Sequence, residues 1–554
     1  MRSAVGTVVK HCLAKLSLAN GALPVRRLRL GRESTRRNRD ADSRMVRAGD
    51  EKHECAADRP DVDQRGSRHD HSAVYASLPP RLAKGQGIAG ALADSYHIPS
   101  ATLRRQHVGW QTAAALLIAV LAVARHVDYL ALSYRSDRVL MILWTFMLTY
   151  MAAQWLLSWR DRPWTVTDSQ QQLLAKLRVV VNIPLYNEEP LFLDRCLWAL
   201  VNQSRRPQRI DVVDDGSTID YTALRMHWEG WHGSTEITWT RQRNAGKKFA
   251  QAATFVSDDT ADIFATIDSD TCLEHRALEE GLKPFARHRV ASVAGIALAL
   301  NSGVSWLTRT VSARDLYFQI VAAGAQSGFG DVLVNRGAFA LYRAPVIRDI
   351  IPAYLNETFF GRPVRLGDDA TLTLFARGAG LAVQQPTAFA YTMNPETLSH
   401  HFRQWIRWMR GATIRNCWRV RYLRPFSWGW LSTVLGTYSF LASFALLVLV
   451  LATLPSSASF AEGTLAAMIG WAYLTSLRVM AVHRSDENWV YRTGTWLSYP
   501  PGALWNLMVL RPLRLYGIAT CLRQGWTTRT AGAEALTPPQ LETEPALLAE
   551  STVT

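Results

Sequence analysis

Two apolar runs without a charged residue bracket a polar middle. The first is "VLMILWTFMLTYMAAQWLLSW" (139–159) and the second "FSWGWLSTVLGTYSFLASFALLVLVLATL" (426–454). At about 1.5 Å per residue, each is long enough for a helix to cross a hydrocarbon layer of roughly 30 Å. Trp144 and Trp159 stand near the ends of the first run, where membrane interfaces favour them. A third run, 108–124, is only just long enough. A buried core helix is the competing reading, but 108–124 and 139–159, two such runs separated by one short loop, weigh against it. Residues 463–482 form a weaker span interrupted by Arg478. Residues 493–522 are broken by Pro500-Pro501 and then by Arg511 and Arg514, which suits a re-entrant or interfacial segment.

This patterning sets the expected organisation. Residues 1–107 read as a basic, mostly disordered tail, with 20 Lys and Arg against 11 Asp and Glu and no apolar periodicity. No apolar stretch of signal-peptide type follows its charges. Two transmembrane helices occupy 108–160 and a catalytic domain 161–397. An amphipathic interface helix covers 398–425, and two further transmembrane helices cover 426–482. A re-entrant or interfacial segment with a loop fills 483–530, and 531–554 form a disordered tail. The basic N-terminus predicts a cytosolic start, so two crossings return the middle to the cytosol.

The net charge of +16 suits a solvated surface, anionic lipid, nucleic acid or a phosphorylated substrate. No nucleic-acid-binding module follows the tail, so nucleic acid is not an expected partner. The six cysteines form no C-x-x-C pair and lack histidines at zinc spacing, which argues against a disulfide framework or a structural zinc site.

Between the spans, strand and helix patterns alternate. A strand running into a polar loop is expected over 178–190, a second ending in carboxylates and a Gly turn over 209–218, a strand, Gly loop and helix over 236–257, and further strands over 262–271 and 290–300, with a helix also over 190–204. That alternation predicts an α/β domain with a mostly parallel, doubly wound sheet, whose ligands bind beyond the carboxyl ends of the strands. The strand ends carry Tyr186 and Glu188, then Asp214 and Asp215, then Lys247 and Lys248, then Asp268 and Asp270. One such cluster is weak evidence; four in register are strong. Lysines beside carboxylates suit a phosphorylated ligand carrying a divalent cation. Mg2+ or Mn2+ is typically held by one or two carboxylates plus substrate phosphates.

In order along the chain, "DVVDDGS", "NAGKK", "IDSD", "LGDDATLT" and "RQWIRWMRG" resemble the processive membrane glycosyltransferases of family 2, which include hyaluronan, chitin and cellulose synthases. The resemblance spans about 178–530 and implies a GT-A fold, a Rossmann-like nucleotide-sugar domain inserted between transmembrane helices at the plasma membrane. It implies that Asp214 and Asp215 meet the uracil and ribose, that Lys247 lies near the nucleotide, and that Asp268 lies beside the ribose and diphosphate. Asp270 would hold the metal. Asp369 falls where the family has its general base, which takes the proton of the attacking acceptor hydroxyl. The Q-x-x-R-W motif is matched by Gln404, Arg407 and Trp408, with Trp405 in place of the usual Gln or Arg. Trp faces suit stacking on sugar rings, and Gln and Arg suit holding hydroxyls and phosphate oxygens.

"WTTR" (526–529) is similar to the W-G-T-R gating loop of hyaluronan synthases, so Trp526, Thr528 and Arg529 would close over the donor. "VNRGAFALYR" (334–343) lies where the family contacts the acceptor, with Asn335 or Arg336 replacing a frequent Cys. The resemblance implies a UDP-sugar donor, a growing polysaccharide acceptor, membrane lipids and a β-linked polymer extruded through the membrane. The alternative is a non-processive transferase adding one sugar to a lipid or short acceptor.

Overall fold

The computed structural model describes residues 98–103, 137–453 and 458–524; within 137–144 and 449–465, among a few other positions, it describes no side chains. All described residues belong to one compact unit, Ser77–Thr554. The run at 108–124 and the loop at 526–529 lie outside the described residues.

A nine-stranded sheet organises the unit. In chain order its strands are β1 Val179–Leu185, β2 Arg209–Asp214, β3 Gly230–His232, β4 Thr235–Arg241, β5 Ile263–Thr266, β6 Cys272–Leu273, β7 Val290–Ala299, β8 Ala340–Arg343 and β9 Leu381–Thr392. Across the sheet the order is β3-β4-β2-β1-β5-β8-β7-β9-β6. Strands β4, β2, β1 and β5 run parallel, as do β7 and β9. Strand β8 runs antiparallel between β5 and β7, and the edge strands β3 and β6 are also antiparallel. The sheet is therefore mixed rather than uniformly wound.

The middle of the sheet follows from residue type. Five of the seven residues of "VVVNIPL" are β-branched or Leu side chains with no exposed surface, which is how a strand covered on both faces reads. Its polar member, Asn182, donates to the Thr254 hydroxyl at 2.6 Å, so the buried amide has a partner.

Helices cover the sheet and carry the loops beyond it. Those that bear on the site are α1 Asp137–Ser158, α2 Pro190–Val201, α3 Lys247–Ser257, α4 Trp306–Tyr317, α5 Asp368–Ala379, α6 Leu398–Tyr422, α7 Trp428–Thr453, α8 Ala458–Val479 and α9 Arg511–Ala519. Pro190 opens α2, where its missing N–H costs nothing. Gly367, at φ +78°, precedes α5 and reverses the chain so that Asp368 and Asp369 fall in the first helical turn. Helices α1, α7 and α8 follow three of the apolar runs. Among the described residues, however, no helix is long and apolar enough to cross a membrane. The segment from Trp489 to Ala519 is a succession of short helical pieces, with Pro500 and Pro501 at the start of one of them.

Candidate functional site

The carboxyl end of β5, the start of α3 and the start of α5 meet around one cation. Lys247 Nζ lies 2.7 Å from Asp268 Oδ1 and 3.2 Å from Asp368 Oδ2. Burial works against that cation, but Asp268, Asp368 and Asp369 outweigh it and hold the Lys247 pKa well above the ordinary lysine value. Gly337 closes the ring. Its N–H donates to Asp369 Oδ2 at 3.0 Å, and a Cβ built on it would stand 3.1 Å from both Lys247 Nζ and Asp268 Oδ1. Three motifs far apart in sequence are thus joined by direct contacts.

The two neighbouring aspartates of α5 are driven apart. Burial acts against charge on both, but Lys247 attracts the Asp368 carboxylate and keeps it well below the usual range. Asp369 is pushed up to about 7, first by burial and then by the charge of Asp368. A helix N-terminus favours negative charge, but that effect is smaller and does not reverse the order. A carboxyl that titrates near neutrality can hold or release a proton under working conditions. The profile of kcat/KM against pH is expected to rise about tenfold per unit up to about pH 7 and level off above it. Asp368→Asn removes the neighbouring charge, so the rising limb should move to lower pH; a limb that stays in place would separate Asp369 from the titration.

The other expected residues occupy distinct places. Asp215 accepts from Gln242 Nε2 and from the N–H groups of Ala245 and Gly246 at 2.7–2.9 Å, so it orders the "NAGK" turn. Its carboxyl is raised, chiefly by burial. Asp214 accepts from the Ser217 N–H at 2.8 Å and lies 3.5 Å from Arg241. Gly216, between them in the turn, has φ +73°, and a Cβ there would meet the Asn244 nitrogen at 2.8 Å. Buried Glu188 accepts from the Ser269 hydroxyl at 2.8 Å, which ties the β1 loop to the middle of "DSD". Tyr186 is half-buried on the same loop. The Asp270 carboxylate receives long contacts from the Thr271 and Thr392 hydroxyls, at 3.3 and 3.4 Å. Among the described residues no group of three or more His, Cys, Asp or Glu could hold a metal ion. A divalent ion at Asp270 would therefore need further oxygens from a ligand, as phosphates provide.

Two side chains differ from their sequence reading. Lys248, placed with Lys247 on the rim, instead turns inward, because adjacent helical residues point about 100° apart. It is buried against Glu357 and donates to the Val364 carbonyl at 2.9 Å. Trp405, a possible sugar platform by type, is buried, with its indole N–H on the Leu510 carbonyl at 2.9 Å and Arg314 over its ring at 4.4 Å. Gln404, Arg407 and Trp408 are half-buried on α6.

One contributor gave no signal in the sequence. Arg415 of α6 has no exposed side-chain surface and donates to the carbonyls of Leu366 and Gly367 at 3.0 and 3.3 Å and to Glu357 at 3.0 Å. It clamps the turn that sets Asp368 and Asp369. Arg415→Met strands one buried carboxylate, a change that costs about 3–5 kcal/mol when the partner is lost outright. The lower end is expected here, because Lys248 still faces Glu357. A fall in the thermal unfolding midpoint would report it; an unchanged midpoint would show that the clamp adds no stability.

Comparison with known proteins adds a family. Residues 263–477 match the model of glycosyl transferase family group 2. The hyaluronan synthase of Streptococcus pyogenes is 31% identical over 360 residues, which is 64% of this chain and 83% of that protein. An N-acetylglucosaminyltransferase of Rhizobium sp. (strain N33) is 28% identical over 378 residues, 66% of this chain and 81% of the relative. Among solved structures, the mannosyltransferase PcManGT from Pyrobaculum calidifontis, in complex with GDP-Man and Mn2+, superposes with a TM-score of 0.45 at 20% identity, over 74% of this chain and all of that one.

Proposed function

As a member of glycosyl transferase family group 2 the chain is a hexosyltransferase, and we propose that it polymerises a β-linked, GlcNAc-containing polysaccharide from UDP-sugars and extrudes it across the plasma membrane. The observation that carries the reading is the meeting of Lys247, Asp268, Asp368 and Asp369 at the carboxyl end of the sheet. In this reading Asp369 accepts the proton of the acceptor hydroxyl as that oxygen attacks the anomeric carbon, which inverts an α-linked donor to a β-linkage. Gly337 fixes the carboxylate through its N–H. Lys247 holds Asp268 in place beside the ribose and diphosphate.

Asp270 would hold Mg2+ or Mn2+ together with diphosphate oxygens. Bound there, the ion would neutralise charge on the departing diphosphate. Tyr186, Glu188, Asp214 and Asp215 line the nucleotide side, and Gln404, Arg407 and Trp408 face the sugar and phosphates from α6. Trp526, Thr528 and Arg529 would close over the donor and limit its hydrolysis. The membrane part of the reading rests on the charge-free sequence runs at 108–124, 139–159 and 426–454. The choice of sugars rests on similarity to a hyaluronan synthase and to an N-acetylglucosaminyltransferase.

Release of UDP by the purified chain, offered each UDP-sugar alone and in pairs, tests the proposal. Release that needs UDP-GlcNAc together with UDP-GlcA indicates an alternating polymer; release with UDP-GlcNAc alone indicates a chitin-like one. No release with any UDP-sugar would overturn it.

A further inference from the structure

The turn that presents Asp368 and Asp369 is gripped along both of its edges. Residues 364–367 belong to no strand or helix, so their backbone groups need partners from elsewhere. Cations hold the carbonyl edge. Lys248 donates to the Val364 carbonyl at 2.9 Å, and Arg415 donates to those of Leu366 and Gly367 at 3.0 and 3.3 Å. On the other edge, the Val364 N–H donates to the Glu357 carbonyl at 2.9 Å. The next two N–H groups, of Arg365 and Leu366, donate to a single atom from far along the chain. It is Gln524 Oε1, at 3.1 and 3.3 Å.

Gln524 is built to stay there. Its Nε2 donates to the Cys521 carbonyl at 2.7 Å, which leaves Oε1, with two lone pairs, facing the two N–H donors. The segment that delivers it is fixed on α6. Gly517 of α9 approaches so closely that a Cβ there would stand 2.7 Å from the Met409 Cβ. Arg410 Nε donates to Thr520 Oγ1 at 3.1 Å. Cys521 packs against the cluster of Phe359, Val364 and Ile414. Helix α6, which supplies Arg415, and the residues that follow α9 therefore hold opposite edges of one turn. The turn leads straight into Asp369, whose Oδ2 has to meet the Gly337 N–H.

We propose that Gln524 is a positioning residue for the transfer step, and that through it the segment after α9 sets the turn that aims Asp369. Gln524 touches neither the nucleotide side nor Asp270 in this account; it acts through the backbone of residues 365 and 366. A base shifted by about 1 Å loses much of its rate while the donor still binds. Loosening the turn would also admit water beside Asp369. Burial is the first cause of that carboxyl's rise to about 7, so hydration moves its titration to lower pH. This inference rests on the transferase reading, in which Asp369 is the proton acceptor.

The test compares the full purified chain with Gln524→Met and Gln524→Glu, reading UDP release from UDP-GlcNAc with UDP-GlcA across pH. Methionine has the same length but accepts no hydrogen bond; glutamate keeps the accepting oxygens. In Gln524→Met, kcat should fall about five- to thirtyfold, the worth of one or two ordinary hydrogen bonds. Donor KM should stay within about twofold. The rising limb of the pH profile should move below its wild-type position. Gln524→Glu should recover most of the rate. The thermal unfolding midpoint of each variant confirms that folded protein is compared. An unchanged kcat in Gln524→Met, a loss confined to donor KM, or a loss that glutamate does not repair would overturn the positioning role while leaving UDP-dependent transfer intact. A wild type that releases no UDP overturns the transferase reading instead.

Discussion

Asp369→Asn lowers kcat by about 10²–10⁴-fold, the contribution usual for a positioned general base, while UDP-sugar binding is largely kept. Asparagine fills the same space and can still accept from the Gly337 N–H, but it cannot take a proton. The loss should therefore fall on kcat rather than on donor KM, since nothing that touches the nucleotide changes. Its pH profile should lose the limb near pH 7 that the raised Asp369 carboxyl gives the wild type. Retained turnover in Asp369→Asn would remove this residue from the chemistry. Aspartate at 368 is the internal comparison. Its charge is held by Lys247, so its loss should disturb the site without removing the proton acceptor.

Asp270→Asn should reduce activity by about 10²–10³-fold or more, as expected if several kcal/mol of charge stabilisation at the diphosphate is lost. It should also raise the Mn2+ concentration needed for half-maximal rate. Asp270 is half-exposed and accepts long contacts from the Thr271 and Thr392 hydroxyls, which the asparagine oxygen can also accept, so folding should survive. Asp268→Asn is distinguishable. It breaks the ion pair with Lys247, and its effect should appear in nucleotide binding with an unchanged metal requirement. Identical metal titrations for wild type and Asp270→Asn would contradict the assignment.

Much of the site could be read from the chain because the signals are local. Strands ending in "DVVDD" and "ATIDSD" put carboxylates at the end from which α/β sheets bind ligands, and the structure brings Asp268 and Lys247 into contact there. The mixed character of the sheet was not legible. Strand β8 has only four residues, "ALYR", too few to show a period, and it enters antiparallel between two strands that belong to the parallel set. Residue type also does not say which way a side chain turns. Lys248 follows Lys247 in a basic pair, yet one faces the site and the other the core.

Arg415 reads as one more arginine on an amphipathic helix and turns out to be fully buried on the turn that sets Asp368 and Asp369. Its partner Glu357 lies 58 residues earlier with no motif around it. Contacts of that kind are set by tertiary packing, which spacing does not encode. Arg336 was visible only as a departure from a family pattern.

Product length at low turnover is the most direct measurement of the proposed polymerisation. With UDP-GlcNAc and UDP-GlcA in excess and a small fraction of donor consumed, a processive enzyme should yield a few long chains, which appear as high-molecular-weight material from the first time point. Products of one or two added sugars, at any donor combination, would contradict processive synthesis.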